Sequence, residues 1–197
     1  MSKTAGIILA AGLSSRMGAF KPLLELDGVS MVRRVVRLMG EAGAEPVIVV
    51  TGHRREELEQ HLAGSGMIFV HNPDFAATQQ LDSLKLALAQ VRPDCGRVLV
   101  SPADIPLVQR ETVKRLLAVE GDFVRPRFGR RAGHPVMMSA KLIPYVLEYT
   151  GADGLRGAVR AGGFQVLDVP VDDPAILMDN DTPEDFRRSL AYEGVQL

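Results

Sequence analysis

The chain has 197 residues, 46% hydrophobic and 24% charged, with 23 basic and 24 acidic side chains and a net charge of −1. Charges of both signs are interspersed without long runs, which excludes the broad electrostatic footprint of a nucleic-acid or membrane-surface binder. The single cysteine, Cys95, excludes an intramolecular disulfide and leaves no thiol cluster for a structural metal. The length suits one α/β domain over 1–197 that buries roughly 70% of its unfolded surface. The opening apolar run, about seven residues, is too short for a signal sequence or a membrane span and points to a cytoplasmic protein.

Ala5 to Ala11 carries no charge and no alternation, the pattern of a strand covered on both faces of a parallel sheet. It runs directly into a loop of small residues that ends in two cations, Gly12 to Lys21. The carboxyl end of such a strand is where open α/β sheets bind ligands. Gly12 and Gly18 allow close approach of backbone to a ligand, and Ser14, Ser15 and successive amides are donors for phosphate oxygens. Arg16 offers a bidentate guanidinium and Lys21 a movable point charge, a combination that suits a triphosphate. Neither G-x-G-x-x-G nor G-K-[ST] is present, so the alternative reading is a glycine-rich turn with two solvated cations.

Downstream, strand and helix alternate, which predicts an α/β, Rossmann-like fold: a mostly parallel twisted sheet with helices on both faces. Asp27-Gly28 reads as a turn. A helix follows through Met31, Val32, Val35, Val36 and Met39, with Arg33, Arg34 and Arg37 facing out, and stops at Gly43. Val47 to Thr51 is a buried strand, Arg54 to Ala63 a charged surface helix, and Met67 to Val70 a short strand; His53 and His61 read as solvated histidines. The loop from His71 runs into a helix with period Leu84, Leu88, Val91, capped by Asp82 or Thr78. Arg97 to Ser101 is a strand, Glu111 to Val119 a helix, Phe123 to Pro126 a strand, Lys141 to Tyr149 a helix and Phe164 to Val169 a strand.

Two carboxylates stand out beyond these elements. Asp104 follows the Arg97–Ser101 strand in Pro102-Ala103-Asp104-Ile105-Pro106, beside the phosphate loop if the two strands are neighbours. Asp181 precedes Thr182-Pro183-Glu184-Asp185, where Thr182 as N-cap, Pro183 at the first helical position and Asp185 two residues on make a strong helix start. That start does not account for Asp179 and Asp181. Paired carboxylates suit Mg²⁺, which takes one or two of them together with substrate phosphates, so Asp104 and Asp181 are the candidate metal ligands.

The segment Leu9-Ala10-Ala11-Gly12-Leu13-Ser14-Ser15-Arg16-Met17-Gly18-Ala19-Phe20-Lys21 resembles the L-A-A-G-x-S-x-R-M-G-x-x-K signature of the MobA-like NTP transferases, which include the molybdenum cofactor cytidylyl- and guanylyltransferases. Further segments resemble the same family. His71 to Leu84 is similar to its base-pocket segment, with Gln79 in place of the usual glycine and Asp82 in place of serine. Phe128 to Val136 is similar to its G-x-x-G-H-P-V segment, Gly151 to Arg156 to G-D-x-G-[AL]-R, and Asp179 to Asp185 to D-[IV]-D-T-P-E-D.

The resemblance implies a doubly wound sheet with one antiparallel strand and a Mg²⁺-dependent transfer of a nucleotide to a phosphorylated acceptor. Arg16, Lys21 and Asp104 would be catalytic. The nucleotide would lie against Leu9, Ala10, Ala11, Gly12, Ser14, Ser15, Arg16, Lys21, Gln80, Leu81 and Ser83, and the acceptor against Gly133, His134, Pro135 and Arg156. Leu-Ala-Ala-Gly at Leu9–Gly12 matches the cytidylyl version, where the guanylyl version has Leu-Ala-Gly-Gly. The expected partners are therefore CTP and molybdopterin, together with a transient contact to the molybdoenzyme or chaperone that receives the product. Transfer to another small phosphorylated acceptor, or a non-catalytic nucleotide-binding module, are the rival readings.

Overall fold

In the computed structural model, which describes residues 3–192, an eight-stranded sheet carries the fold. The opening strand, β1 (Lys3–Leu9), is buried along its centre. It begins and ends two residues earlier than its hydrophobicity predicts, because Ala10 and Ala11 already belong to the following loop. The Ala10 amide still donates to Val50 (3.0 Å), but the Ala11 carbonyl turns aside to accept from the His53 amide (3.3 Å). A two-stranded hairpin, β2 (Glu25–Leu26) and β3 (Val29–Ser30), closes on Asp27 and Gly28, both with positive φ (50° and 73°). This is the turn that matches the twist of the flanking strands. Helix α1 (Met31–Glu41) then starts with the Ser30 hydroxyl accepting from the Arg33 amide, and Gly43 at φ 72° follows its end.

Arg34 departs from the expected outward face. It is buried, and its guanidinium donates to the Leu26 carbonyl at 3.2 Å and lies 3.5 Å from Asp27. A side chain with five donors satisfies the hairpin's buried carbonyl, which periodicity does not report. The two histidines are half-buried and have protein partners as well as solvent. His53 lies edge-on to Phe20 (5.7 Å) and tilted against Phe75 (5.9 Å), while the His61 Nε2 accepts from Arg33 Nε (2.9 Å) and pairs with the Ser30 hydroxyl (2.8 Å).

The remaining elements are β4 (Val47–Thr51), α2 (Arg55–His61), β5 (Ile68–His71), α3 (Gln80–Leu88), β6 (Cys95–Pro102), α4 (Arg110–Ala118), β7 (Phe123–Phe128), β8 (Arg131–Ala132), β9 (Val136–Ser139), α5 (Ile143–Glu148), α6 (Gly154–Ala161), β10 (Val166–Pro170) and α7 (Pro183–Leu190). The main path of the sheet runs β10-β7-β9-β6-β1-β4-β5, with β8 added on β7. On that path β9 alone runs antiparallel to its neighbours, β6 and β7.

Side chains alternate across the strands into two cores. Ile8, Val49 and Leu99 meet α1, α2 and α4 through Val35, Leu58 and Leu116. Ile7, Val50 and Val98 meet α3, α5 and α6 through Leu84, Val146 and Val159 on the other face. Each such aliphatic side chain contributes about 1.5–3 kcal/mol on burial, so both faces of β1 are anchored.

The chain leaves β1 in one direction, to β4 and β5, and then returns to β6 on its other side. The order therefore reverses between β1 and β6. Loops leaving the carboxyl ends of two such strands diverge and open a crevice, the usual ligand position in open α/β sheets.

Candidate active site

The loop after β1 is shaped by its small residues. Ser14 takes a left-handed conformation (φ 55°), its carbonyl accepts from the Met17 amide (3.0 Å), and its hydroxyl oxygen accepts from the Lys21 amide (3.2 Å). Met17 and Phe20 turn inward and are buried, which fixes the loop between them. The loop after β6 is tied to it, since the Ala103 amide donates to Leu9 (3.0 Å). Asp104 is thereby carried to the mouth of the crevice.

The third contributor is the segment before α7, where Thr182 and Asp185 cap the helix reciprocally as their spacing predicts. Asp181 precedes that cap. Lys21 Nζ lies 2.9 Å from Asp104 Oδ2 and 2.8 Å from Asp181 Oδ1, and an Arg16 guanidinium nitrogen lies 2.8 Å from Asp181 Oδ2. Four residues from three separate loops thus form one charge cluster. Burial disfavours the Lys21 ammonium, yet Asp104 and Asp181 outweigh it and hold its pKa above the ordinary value. The hydrogen bond from Lys21, with Arg16 assisting, holds Asp181 below the ordinary carboxylate value despite partial burial.

These directions fix the sign of a pH effect. A carboxylate with a depressed pKa stabilises the fold above its ordinary value, 3.8 for Asp181, and that contribution is lost as pH falls through the depressed one. The raised Lys21 contributes fully below 10.5 and loses its contribution as pH rises through its own value. Thermal melts between neutral and strongly acidic pH check this: the Asp181→Asn variant loses less stability below pH 3.8 than wild type.

Asn180 is a positioning residue that sequence reasoning missed. It is fully buried, and both its backbone amide (3.1 Å) and its Nδ2 (2.9 Å) donate to the Asp104 carbonyl. The two carboxylate loops are therefore held together through one oxygen atom. The signal was a polar residue at the middle of Asp179-Asn180-Asp181, where an aliphatic one is expected.

Two hard carboxylate oxygens converge on one cationic position, as Mg²⁺ requires. Among the described residues no group of three or more His, Cys, Asp or Glu side chains gathers to hold a metal unaided. Asp104 and Asp181 thus fit an ion that draws its other ligands from substrate phosphates and water.

The crevice has two halves. The first, about 300 Å³, contains every nucleotide-side residue named from the sequence except Leu81, along with Phe75, Thr78 and Gln79. Leu81 turns into the core beneath α3, and Ser83 is buried, its hydroxyl accepting from Asn72 Nδ2 (3.0 Å). Asn72 also donates to the Thr78 hydroxyl (2.9 Å), so this loop is organised by an internal amide. Helix α3 is capped by neither expected route. Gln79 is the N-cap residue, and Asp82 accepts from its backbone amide (2.8 Å), which makes the departures from glycine and serine a local helix start. Ala11 and Phe75 close over Gly52, where an added Cβ would lie 2.6 Å from the Ala11 carbonyl and 2.7 Å from the Phe75 Cβ.

The second half, about 360 Å³, includes Gly133, His134, Arg131 and Asp179. Gly133 is required by close approach, because a Cβ there would lie 2.2 Å from the Ile176 carbonyl. Burial pushes the His134 imidazole below its ordinary pKa, only partly opposed by Asp104 and Asp179, so it is neutral at neutral pH. Pro135 is buried behind this wall and Arg156 is exposed on α6; neither lines either half. The two halves share Gln80, Pro102, Asp104 and Asp181.

The family model of the MobA-like NTP transferase domain matches residues 6–166, the stretch that carries the cationic loop after β1 and the aspartate after β6. The chain belongs to this family. It is a nucleotidyltransferase. The MobA-like chain is 28% identical over 188 residues to the molybdenum cofactor cytidylyltransferase of Escherichia coli, covering 94% of this chain and 95% of that protein. Its fold is similar to that of Rv0371c from Mycobacterium tuberculosis H37Rv, with a TM-score of 0.87, 26% identity, and 97% and 98% of the two chains covered. A structure of the same mycobacterial protein in complex with manganese gives a TM-score of 0.81 at 26% identity, covering 96% of this chain and 99% of that one. Among the described residues no helix is long and apolar enough to cross a membrane.

Proposed function

We propose that this MobA-like enzyme transfers CMP from CTP to the phosphate of molybdopterin, with Mg²⁺ as cofactor and pyrophosphate as the leaving group. The observation that carries the reading is the shared wall of the two half-crevices. Asp104 and Asp181 stand where a nucleotide in one half and an acceptor in the other would bring their reacting phosphates together. The E. coli relative supports the cytidylyl and molybdenum cofactor assignment, and the mycobacterial manganese complex supports a divalent metal.

The reaction needs no protein nucleophile. An oxygen of the acceptor phosphate, already ionised at neutral pH, forms a new bond to the α-phosphorus while the α–β bridging bond breaks and pyrophosphate leaves with its electron pair. The protein's task is to bring two repelling anions into line and to stabilise the charge of the transition state. Arg16 and Lys21 neutralise the triphosphate, and the loop from Gly12 to Ser15 presents its donors to it. Asp104 and Asp181 would hold Mg²⁺, which when bound supplies charge neutralisation at the phosphate oxygens.

Nucleotide choice is read from Ala11. It is buried and lines the nucleotide half, where its methyl group narrows the space for a purine. One methyl in a fitted pocket is worth about 1–3 kcal/mol, so Ala11 biases the choice and shares the task with other contacts. Pyrophosphate release with molybdopterin and each of CTP, GTP and ATP tests this. CTP gives the highest kcat/KM, and Ala11→Gly narrows the gap to GTP without closing it; equal or better efficiency with GTP or ATP overturns the cytidylyl assignment.

A further inference from the structure

Three cations line the crevice: Arg16 and Lys21 in the nucleotide half and Arg131 in the acceptor half. The first two already face carboxylates. Arg131 is exposed and makes no hydrogen bond or ion pair with any described side chain. Its neighbours on the same sheet edge differ, since Asp168 of β10 faces both Arg125 (2.6 Å) and Arg127 (3.9 Å). Asp168 is thus already taken.

The backbone under Arg131 is held by hydrogen bonds, while its side chain has no polar partner among the described residues. Strand β8 pairs with β7 through Phe128 and Arg131, the Gly133 amide donates to Pro126 (2.9 Å) and the His134 amide to Ile176 (3.0 Å). The acceptor half otherwise offers an incoming molecule three carboxylates, from Asp104, Asp179 and Asp181, and a histidine. Asp104 and Asp181 are already matched by Lys21 and Arg16, which leaves Asp179 to repel an anionic acceptor and this half in need of a cation of its own. A guanidinium, able to grip two phosphate oxygens at once, supplies one.

We infer that Arg131 is the anchor for a phosphate oxyanion of the acceptor. This rests on the nucleotidyltransferase reading of the same crevice. Arg130, exposed on the same hairpin but outside the crevice lining, is the internal control.

The test fills the nucleotide half with the unreactive α,β-methylene analogue of CTP and Mg²⁺, then titrates inorganic phosphate by ³¹P NMR. Wild type and Arg130→Ala bind phosphate equally, Arg131→Ala binds it at least about tenfold more weakly, and Arg131→Lys falls between them. All variants bind the analogue alike. Equal phosphate binding by wild type and Arg131→Ala, no phosphate binding by wild type, or an equal loss in Arg130→Ala overturns the assignment. If wild type fails to bind the analogue, the nucleotide reading falls instead, and the same phosphate titration on the protein alone still decides Arg131.

Discussion

The Asp104→Asn variant turns over about 10²- to 10³-fold more slowly than wild type at limiting Mg²⁺, the loss typical of one removed charge-stabilising contact. Its melting temperature changes little. The Asp104 side chain is partly exposed in a turn and packs against no core, and the loop's tether runs through the Asp104 carbonyl to Asn180, which the substitution leaves intact. Asparagine keeps the shape and loses the anionic oxygen that the metal needs. Initial rates across a Mg²⁺ titration, beside thermal melts, measure both effects. Wild-type turnover at limiting Mg²⁺ contradicts the role given to Asp104.

Lys21→Met has two expected effects of opposite sign. Turnover drops by a similar 10²- to 10³-fold, because charge neutralisation of the triphosphate grows in importance as the transition state forms. Binding of Mn²⁺ without nucleotide tightens instead, by roughly tenfold, within the usual range of coupling between two sites. The reason is geometric: the Lys21 ammonium is 2.8–2.9 Å from the same Asp104 and Asp181 oxygens that a divalent cation requires. Metal and ammonium compete for them. A bound triphosphate gives Lys21 another anionic partner, so nucleotide and metal favour each other's binding in wild type. Free Mn²⁺ measured by electron paramagnetic resonance decides it, and unchanged or weaker affinity in the variant contradicts the competition.

Much of this arrangement is legible in the amino-acid sequence, and for identifiable reasons. The uncharged run before the loop marks β1, the Thr182-to-Asp185 cap marks the start of α7, and a carboxylate just beyond a buried strand marks Asp104. Each is a local pattern. What escapes is produced by long-range contacts. Arg34 reads as an outward-facing residue because the Leu26 carbonyl it satisfies belongs to a neighbouring hairpin. The buried amides of Asn72 and Asn180 look like ordinary loop residues until the loops they join are brought together. Leu81 sits in the core, away from where a base-pocket resemblance would place it, while Ser83 does line the nucleotide half but spends its hydroxyl on the Asn72 network. The distinction between Arg130 and Arg131 is likewise set by the two-residue strand β8, which is too short for any periodicity to reveal.

The most direct measurement follows the α-phosphate of the nucleotide. CTP labelled at that phosphorus is incubated with the enzyme, Mg²⁺ and molybdopterin, and the label is traced alongside released pyrophosphate. The expected result is label joined to molybdopterin through a new phosphate–phosphate bond, one pyrophosphate released for each, and neither in the Asp104→Asn variant beyond a trace. Label remaining in CTP, or appearing only as free CMP, contradicts cytidylyl transfer to this acceptor.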